Sequence, residues 1–403
     1  MGKFICNNCG LSLETEETAG RQITCPVCDT PLLIPHRESN SAPPFFNGRS
    51  QSAVFEESEG VTSSMNSKIA SALGMERLEG FSLAEFFSSA LKKHTTEEIE
   101  ERFTFGTAKT TPPLFEVVTE WPKPWAFFRA LIFSIIVYAI FYYMYIEYRQ
   151  IHIVPGLIIT GAFAVPLSVL ILFMEVNVTR NVSMYQVVKM LFMGGVLSLL
   201  VTLFLNDKLP FLQTWLGASS AGGIEEIAKV AATLLMVKDR RYSFTLNGLL
   251  IGAAVGTGFA AFETAGYAFR CVLESGDLML QVITSRALLA PAMHIPWTAL
   301  AAAALWRVKG DRNFQNSMLL DFRFLRVLAF SIALHMLWNS SFTIISLPFV
   351  GDIKYLLLGS VAWIAVFSFI QDGLRQVDRV KHGGAYAAPS SSGNKIFKLR
   401  IIM

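Results

Sequence analysis

Eight apolar runs of about 20 residues fill most of the chain after residue 125, near 126–146, 154–174, 187–205, 215–237, 246–269, 279–306, 325–347 and 353–371. A run of that length crosses the hydrocarbon of a bilayer as a helix. The first three carry few charges and read as structural. The next four do not. AGGIEEIAKVAATLLMV holds Glu225, Glu226 and Lys229; LNGLLIGAAVGTGFAAFETAGYAF holds Glu263; the following two hold His294, and His335 with Asn339. A charge at the centre of a bilayer costs roughly 3 kcal/mol, so each such residue is a functional-site candidate. The pattern predicts an all-α polytopic membrane bundle of about eight transmembrane helices over 124–374, with one polar site shared by helices four to seven.

Lys and Arg set the expected orientation. They gather after helices two, four and six and in the tail; the connection after helix six holds Arg307, Lys309, Arg312, Arg323 and Arg326, and the alternate connections about one each. Both termini are thus expected in the cytoplasm. In that frame the depths of Glu225, Glu226, Glu263, His294, His335 and Asn339 overlap between the midplane and the outer leaflet, so the side chains can meet in one cavity. Trp121 and Trp125, just ahead of the first run, fit an interfacial aromatic belt. No apolar segment lies near the N-terminus, so no cleavable signal peptide is expected.

Composition agrees: 52% of the 403 residues are hydrophobic and 16% charged. The net charge of +3 gives no case for a nucleic-acid partner. Four of the five cysteines lie in the first 28 residues. Cys6, Cys9, Cys25 and Cys28 form two C-x2-C pairs at zinc-ribbon spacing, which predicts a structural zinc in a closed shell of four thiolates over residues 1–36. A redox dithiol pair is the other reading of the same spacing. Residues 37–66 read as a flexible linker. Residues 67–123 are an amphipathic helical and linker region, with HTTEEIEERF as a capped, acidic helix start. Residues 375–403 are expected to form a cytoplasmic tail. We expect the ribbon to engage a cytoplasmic protein partner.

The intramembrane set suits hydrolysis of an amide bond in two ways. Either His294 and His335 with Glu226 or Glu263 hold a zinc that keeps an open position, the remaining Glu taking a proton from water. Or a Glu activates water unaided while His335 with Asn339 stabilises the oxyanion. Lys229, one turn from both Glu225 and Glu226, can neutralise either. Pro291 and Pro296 beside His294 mark a kink over a cavity. Gly252 and Gly256 form a G-x-x-x-G, best read as close helix packing. The runner-up reading is a non-enzymatic transporter or receptor whose polar cavity binds a ligand, and the lack of a clear internal repeat counts against a transporter.

At these residues the chain resembles the PrsW family of intramembrane proteases, which is related to the group containing the CAAX prenyl endopeptidases and bacteriocin-processing proteins. EEIAK carries Glu225, Glu226 and Lys229; FAAFE carries Phe259 and Glu263; RALLAPAMH carries His294; HMLWN carries His335, Trp338 and Asn339. The wider group usually has His where this chain has Glu263. The resemblance implies a metalloprotease-like or glutamate-dependent enzyme, an integral multi-pass protein of the inner membrane. It implies cleavage of a membrane-anchored substrate near the outer face, such as an anti-sigma factor in a signalling cascade. Glu225, Glu226, Glu263, His294, His335 and Asn339 are then the catalytic candidates, supported by Lys229, Phe259 and Trp338.

Overall fold

The computed structural model describes residues 2–5, 12–15, 22–24, 31–33 and 62–386, except 77, 149, 238–239 and 348–350. The chain divides into two compact units, Met1–Ser58 and Glu59–Met403. In the first, β1 (Gly2–Ile5) pairs antiparallel with β2 (Ser12–Thr15), and β3 (Gln22–Thr24) with β4 (Pro31–Leu33). In backbone register Phe4 stands opposite Leu13 and Ile23 opposite Leu32. In chain order Cys6 and Cys9 fall between β1 and β2, and Cys25 and Cys28 between β3 and β4. The four cysteines, and the expected linker as far as residue 61, lie outside the described residues.

The second unit opens with three short helices, α1 (Thr62–Leu73), α2 (Leu83–Phe86) and α3 (Thr96–Phe103). The amphipathic stretch is cut here because Gly74 and Gly80 adopt positive φ, +63° and +62°, a region open to glycine at no steric cost. The capped start expected at HTTEE is present. Glu98 N–H donates to Thr95 Oγ1 at 3.2 Å and Thr95 N–H to Glu98 Oε2 at 2.8 Å, which satisfies two helix-end donors reciprocally.

Then come α4 (Ala126–Tyr148), α5 (Val154–Val176), α6 (Met184–Lys189), a π-helical turn at Met190–Gly194, and α7 (Gly195–Lys208). They are followed by α8 (Pro210–Leu216), α9 (Ser220–Val237), α10 (Thr245–Val272) and α11 (Gly276–Leu289). The unit ends with α12 (His294–Lys309), α13 (Phe322–Asn339) and α14 (Ile353–Lys381). Among the described residues, six helical stretches are long and apolar enough to cross a membrane: Ala126–Tyr148, Ile151–Val176, Met184–Lys208, Thr245–Val272, Gly276–Lys309 and Ile353–Lys381. The other two expected spans correspond to α9 and α13, each of 18 residues. Their boundaries differ from the expected ones. The 215–237 run is split where Gly217 takes φ +55°. The 325–347 run leaves the helix at Asn339, and Ser346–Leu347 pairs as β5 with β6 (Gly351–Asp352).

α10 is the axis of the bundle and is buried along nearly its whole length. It lies against α12 so closely that a methyl on Gly252 would sit 2.5 Å from the Thr298 carbonyl, and one on Gly256 2.7 Å from that of His294. The opposing surface of α12 is an alanine run, Ala301 to Ala303, with no exposure. Trp125 departs from the belt expectation. It is 2% exposed and stacks on His94 with ring centroids 3.6 Å apart. The preceding region packs on the bundle: Phe81 meets Phe367 at 4.4 Å and Glu79 N–H donates to Gln371 Oε1 at 2.7 Å, both partners on α14.

Candidate active site

Four helices bring their ionisable residues to one place because two local features allow it. On α9, Gly222 faces α13, where a methyl would lie 2.7 Å from Met336 N. That close approach carries Glu226, one turn on, to His335, whose Nδ1 is 2.9 Å from Glu226 Oε1. Between α11 and α12 the helix is broken by a 3-10 turn at Ala290–Ala292 and by Met293. The kink expected from Pro291 and Pro296 is therefore a full interruption, and His294 is the first residue of α12 rather than the middle of a continuous helix. Pro296 sits in the first turn, where no backbone donor is required.

The contacts form two chains that meet at Glu225. Lys229 Nζ is 2.5 Å from Glu226 Oε1 and donates to His294 Nδ1 at 3.1 Å. His294 Nε2 lies 3.0 Å from Glu263 Oε2, which also pairs with the Arg286 guanidinium. An ionised carboxylate only accepts, so the network assigns the ring protons to Nδ1 of His335 and Nε2 of His294. The opposite nitrogens look inward. His335 Nε2 is 3.7 Å and His294 Nδ1 3.8 Å from Glu225 Oε2. Phe259 supports Lys229, whose Nζ stands 4.6 Å from the ring centroid, an arrangement favourable to a desolvated cation. Trp297 stacks on His335 at 4.5 Å and meets Trp338 edge-on at 5.6 Å.

Glu225, His294 and His335 offer three buried donor atoms within 4.8 Å of one another. The orphaned Glu225 Oε2, buried with no hydrogen-bond partner, is the observation that tests their fit to a metal. Two imidazoles and a carboxylate are a donor set suited to a catalytic zinc. The outer nitrogen of each ring is held by a carboxylate, Glu226 on His335 and Glu263 on His294, as the imidazoles of metal sites usually are. The residues present fit a metal. The carboxylate that faces both rings is Glu225, not Glu226 or Glu263 as the sequence suggested.

Of the sequence candidates, Glu225, Glu226, Lys229, Phe259, Glu263, His294, His335 and Trp338 are brought together. Asn339 is not: it is half-buried at the end of α13 and takes part in none of these contacts. Arg286 and Trp297 were missed. Arg286 stood in the quoted segment RALLAPAMH, and a lone cation within an apolar run was the signal. Trp297 offered none, since an aromatic in a membrane helix is ordinary core.

The cluster is sealed on one side and open on the other. The Glu226 and Lys229 side chains have no exposure, while those of Glu263 and Arg286 keep 17% and 22%. A cluster of carboxylates, imidazoles and a lysine buried between apolar helices is a donor set suited to hydrolysis inside a membrane. Residues 182–370 match the family model described as PrsW family intramembrane metalloprotease, and the protein is on that match an intramembrane protease. The matched span contains every member of the cluster. No curated protein and no solved structure matches the chain.

Proposed function

We propose that the protein hydrolyses a peptide bond of a membrane-anchored protein at the cluster around Glu225, holding a zinc on Glu225 Oε2, His294 Nδ1 and His335 Nε2. The observation that carries this is the trio of converging donors with an orphaned carboxylate oxygen among them. When bound there, zinc supplies Lewis-acid chemistry: it polarises a carbonyl and acidifies water. The remaining work falls to the chain. Glu226 Oε1 is engaged by Lys229 and His335, whereas Glu226 Oε2 is buried and without a partner. That oxygen is our candidate to take the proton of the attacking water and return it to the leaving amine. Lys229 holds Glu226 in place through Oε1. The lone pair of His294 Nδ1 accepts either Lys229 or a metal, and Lys229 retains Glu226 in both cases. Trp297 and Phe259 wall the rings off from bulk water.

The bundle crosses the membrane eight times in this reading, α9 and α13 included, with both termini in the cytoplasm, as the Lys and Arg distribution indicates. The site then lies toward the outer leaflet of the inner membrane. The substrate class follows from the resemblance: a membrane-anchored regulator such as an anti-sigma factor. Residues 1–36 hold a second, structural zinc on Cys6, Cys9, Cys25 and Cys28 and serve as a cytoplasmic docking module.

The test compares protein N-termini in membranes of cells making the wild-type protein or the Glu226→Gln variant. New N-termini near the outer ends of membrane anchors should appear with the wild type alone. Identical N-termini in the two membranes would sink the reading.

A further inference from the structure

The Glu263 carboxylate joins two segments that the chain has parted. Arg286 is on α11, His294 opens α12, and the helix is interrupted between them. A single oxygen, Glu263 Oε2, meets both Arg286 Nη2 and His294 Nε2. Arg286 is itself fixed by two further contacts. Its Nε donates to Thr264 Oγ1 at 3.0 Å, and its guanidinium carbon stands 4.7 Å from the centroid of the Tyr267 ring. A planar guanidinium gripped at the fork and on its face has little freedom.

Glu225 and Glu263 place two carboxylates around one imidazole, 3.8 Å from Nδ1 and 3.0 Å from Nε2. The Arg286 guanidinium pairs with the same Glu263 oxygen that meets Nε2, and so holds that carboxylate against the ring on the side away from Glu225. We propose that Arg286 is a positioning residue: acting through Glu263, it fixes the His294 ring with Nε2 protonated and Nδ1 turned toward Glu225. The proposal deepens the hydrolytic reading and rests on it. It makes the α11–α12 break part of the site, because the two sides of the break are registered by the carboxylate between them.

The test uses the full chain in nanodiscs, with Cys6, Cys9, Cys25 and Cys28 changed to Ser so that a ribbon metal does not intrude. Cobalt(II) binding is followed by its absorption spectrum, and the His294 tautomer by 15N NMR of histidine-labelled protein, its signal assigned by loss in His294→Ala. Arg286→Ala should weaken cobalt binding about 10- to 100-fold, the usual effect of losing an outer partner of a ligand. Glu263→Gln should do likewise. The double variant should bind no worse than Glu263→Gln, since Arg286 acts through that carboxylate. The His294 signal should change from one fixed tautomer to a mixture. Unchanged affinity and tautomer in Arg286→Ala would overturn the proposal, as would losses that multiply in the double variant. A parent protein that takes up no cobalt removes the metal assignment, and the tautomer alone then decides: a mixture in Arg286→Ala supports the positioning role and an unchanged signal refutes it. If Arg286→Ala does not fold, Arg286→Lys, which keeps the charge but cannot grip Glu263 and Thr264 together, is read in its place with the same outcomes.

Discussion

At the scale of single residues, Lys229 shows how strongly the apolar surroundings bind the site together. Its ammonium and the Glu226 carboxylate are both fully buried. Removing one member of such a pair strands the other, which typically costs about 3–5 kcal/mol. Lys229→Met should therefore lower the thermal midpoint sharply in detergent, and restoring Glu226→Gln in the same chain should recover part of the loss. A second residue-scale outcome concerns Asp352, which caps α14. The backbone N–H of Lys354, at 3.0 Å from Oδ1, and that of Ile344, at 3.0 Å from Oδ2, hold its carboxyl below the usual carboxylate range. The folded pKa is lowered, so the stabilisation is complete above the unfolded value and fades as pH falls through the folded one. Asp352→Asn should thus destabilise at neutral pH and cost progressively less toward acid, as followed by thermal melts across pH 2–7.

Among the helices, the packing of α10 on α12 makes the most direct claim. Gly252 and Gly256 admit no side chain without moving Thr298 and His294, the residues of the facing turn. Overpacking of this kind costs about 1–3 kcal/mol. Gly256→Val should also displace the start of α12 and with it His294, so cleavage should fall by more than the stability loss explains. A variant that loses stability alone would show that the close approach serves packing only. The sequence was informative at this scale where periodicity and composition suffice. The apolar runs gave the helices, the G-x-x-x-G gave the tight pair, and Thr95 with Glu98 gave a helix start. Breaks were harder. The interruption at Ala290–Met293 showed only as a pair of prolines, and the end of α13 at Asn339 only as the short polar step Asn339-Ser340-Ser341 in a run otherwise mostly apolar. Partner choice was harder still. Three glutamates were visible as intramembrane charge, but which one faces both imidazoles depends on helix rotation, and that is set by packing rather than by spacing.

For the molecule as a whole, the chain divides into two units at Ser58. The segment from α1 to Trp125 rests on α14 through Phe81 and Glu79 and buries Trp125 against His94. Truncation to Glu59 should leave the thermal midpoint of the membrane unit in place and reduce bound zinc by one per chain. Trp125→Ala, by contrast, should cost about 3–5 kcal/mol, read in the same melt. Equal damage from both changes would show that the first unit contributes to the second. The one-sided exposure of the site has a kinetic consequence. Because Glu226 and Lys229 are closed off while Glu263 and Arg286 keep some exposure, we expect substrate to enter and fragments to leave past Glu263 and Arg286. A cleaved fragment that stays anchored in the bilayer leaves slowly and at high local concentration. Turnover should then decline as product accumulates, and adding the anchored fragment should raise the apparent KM without changing kcat.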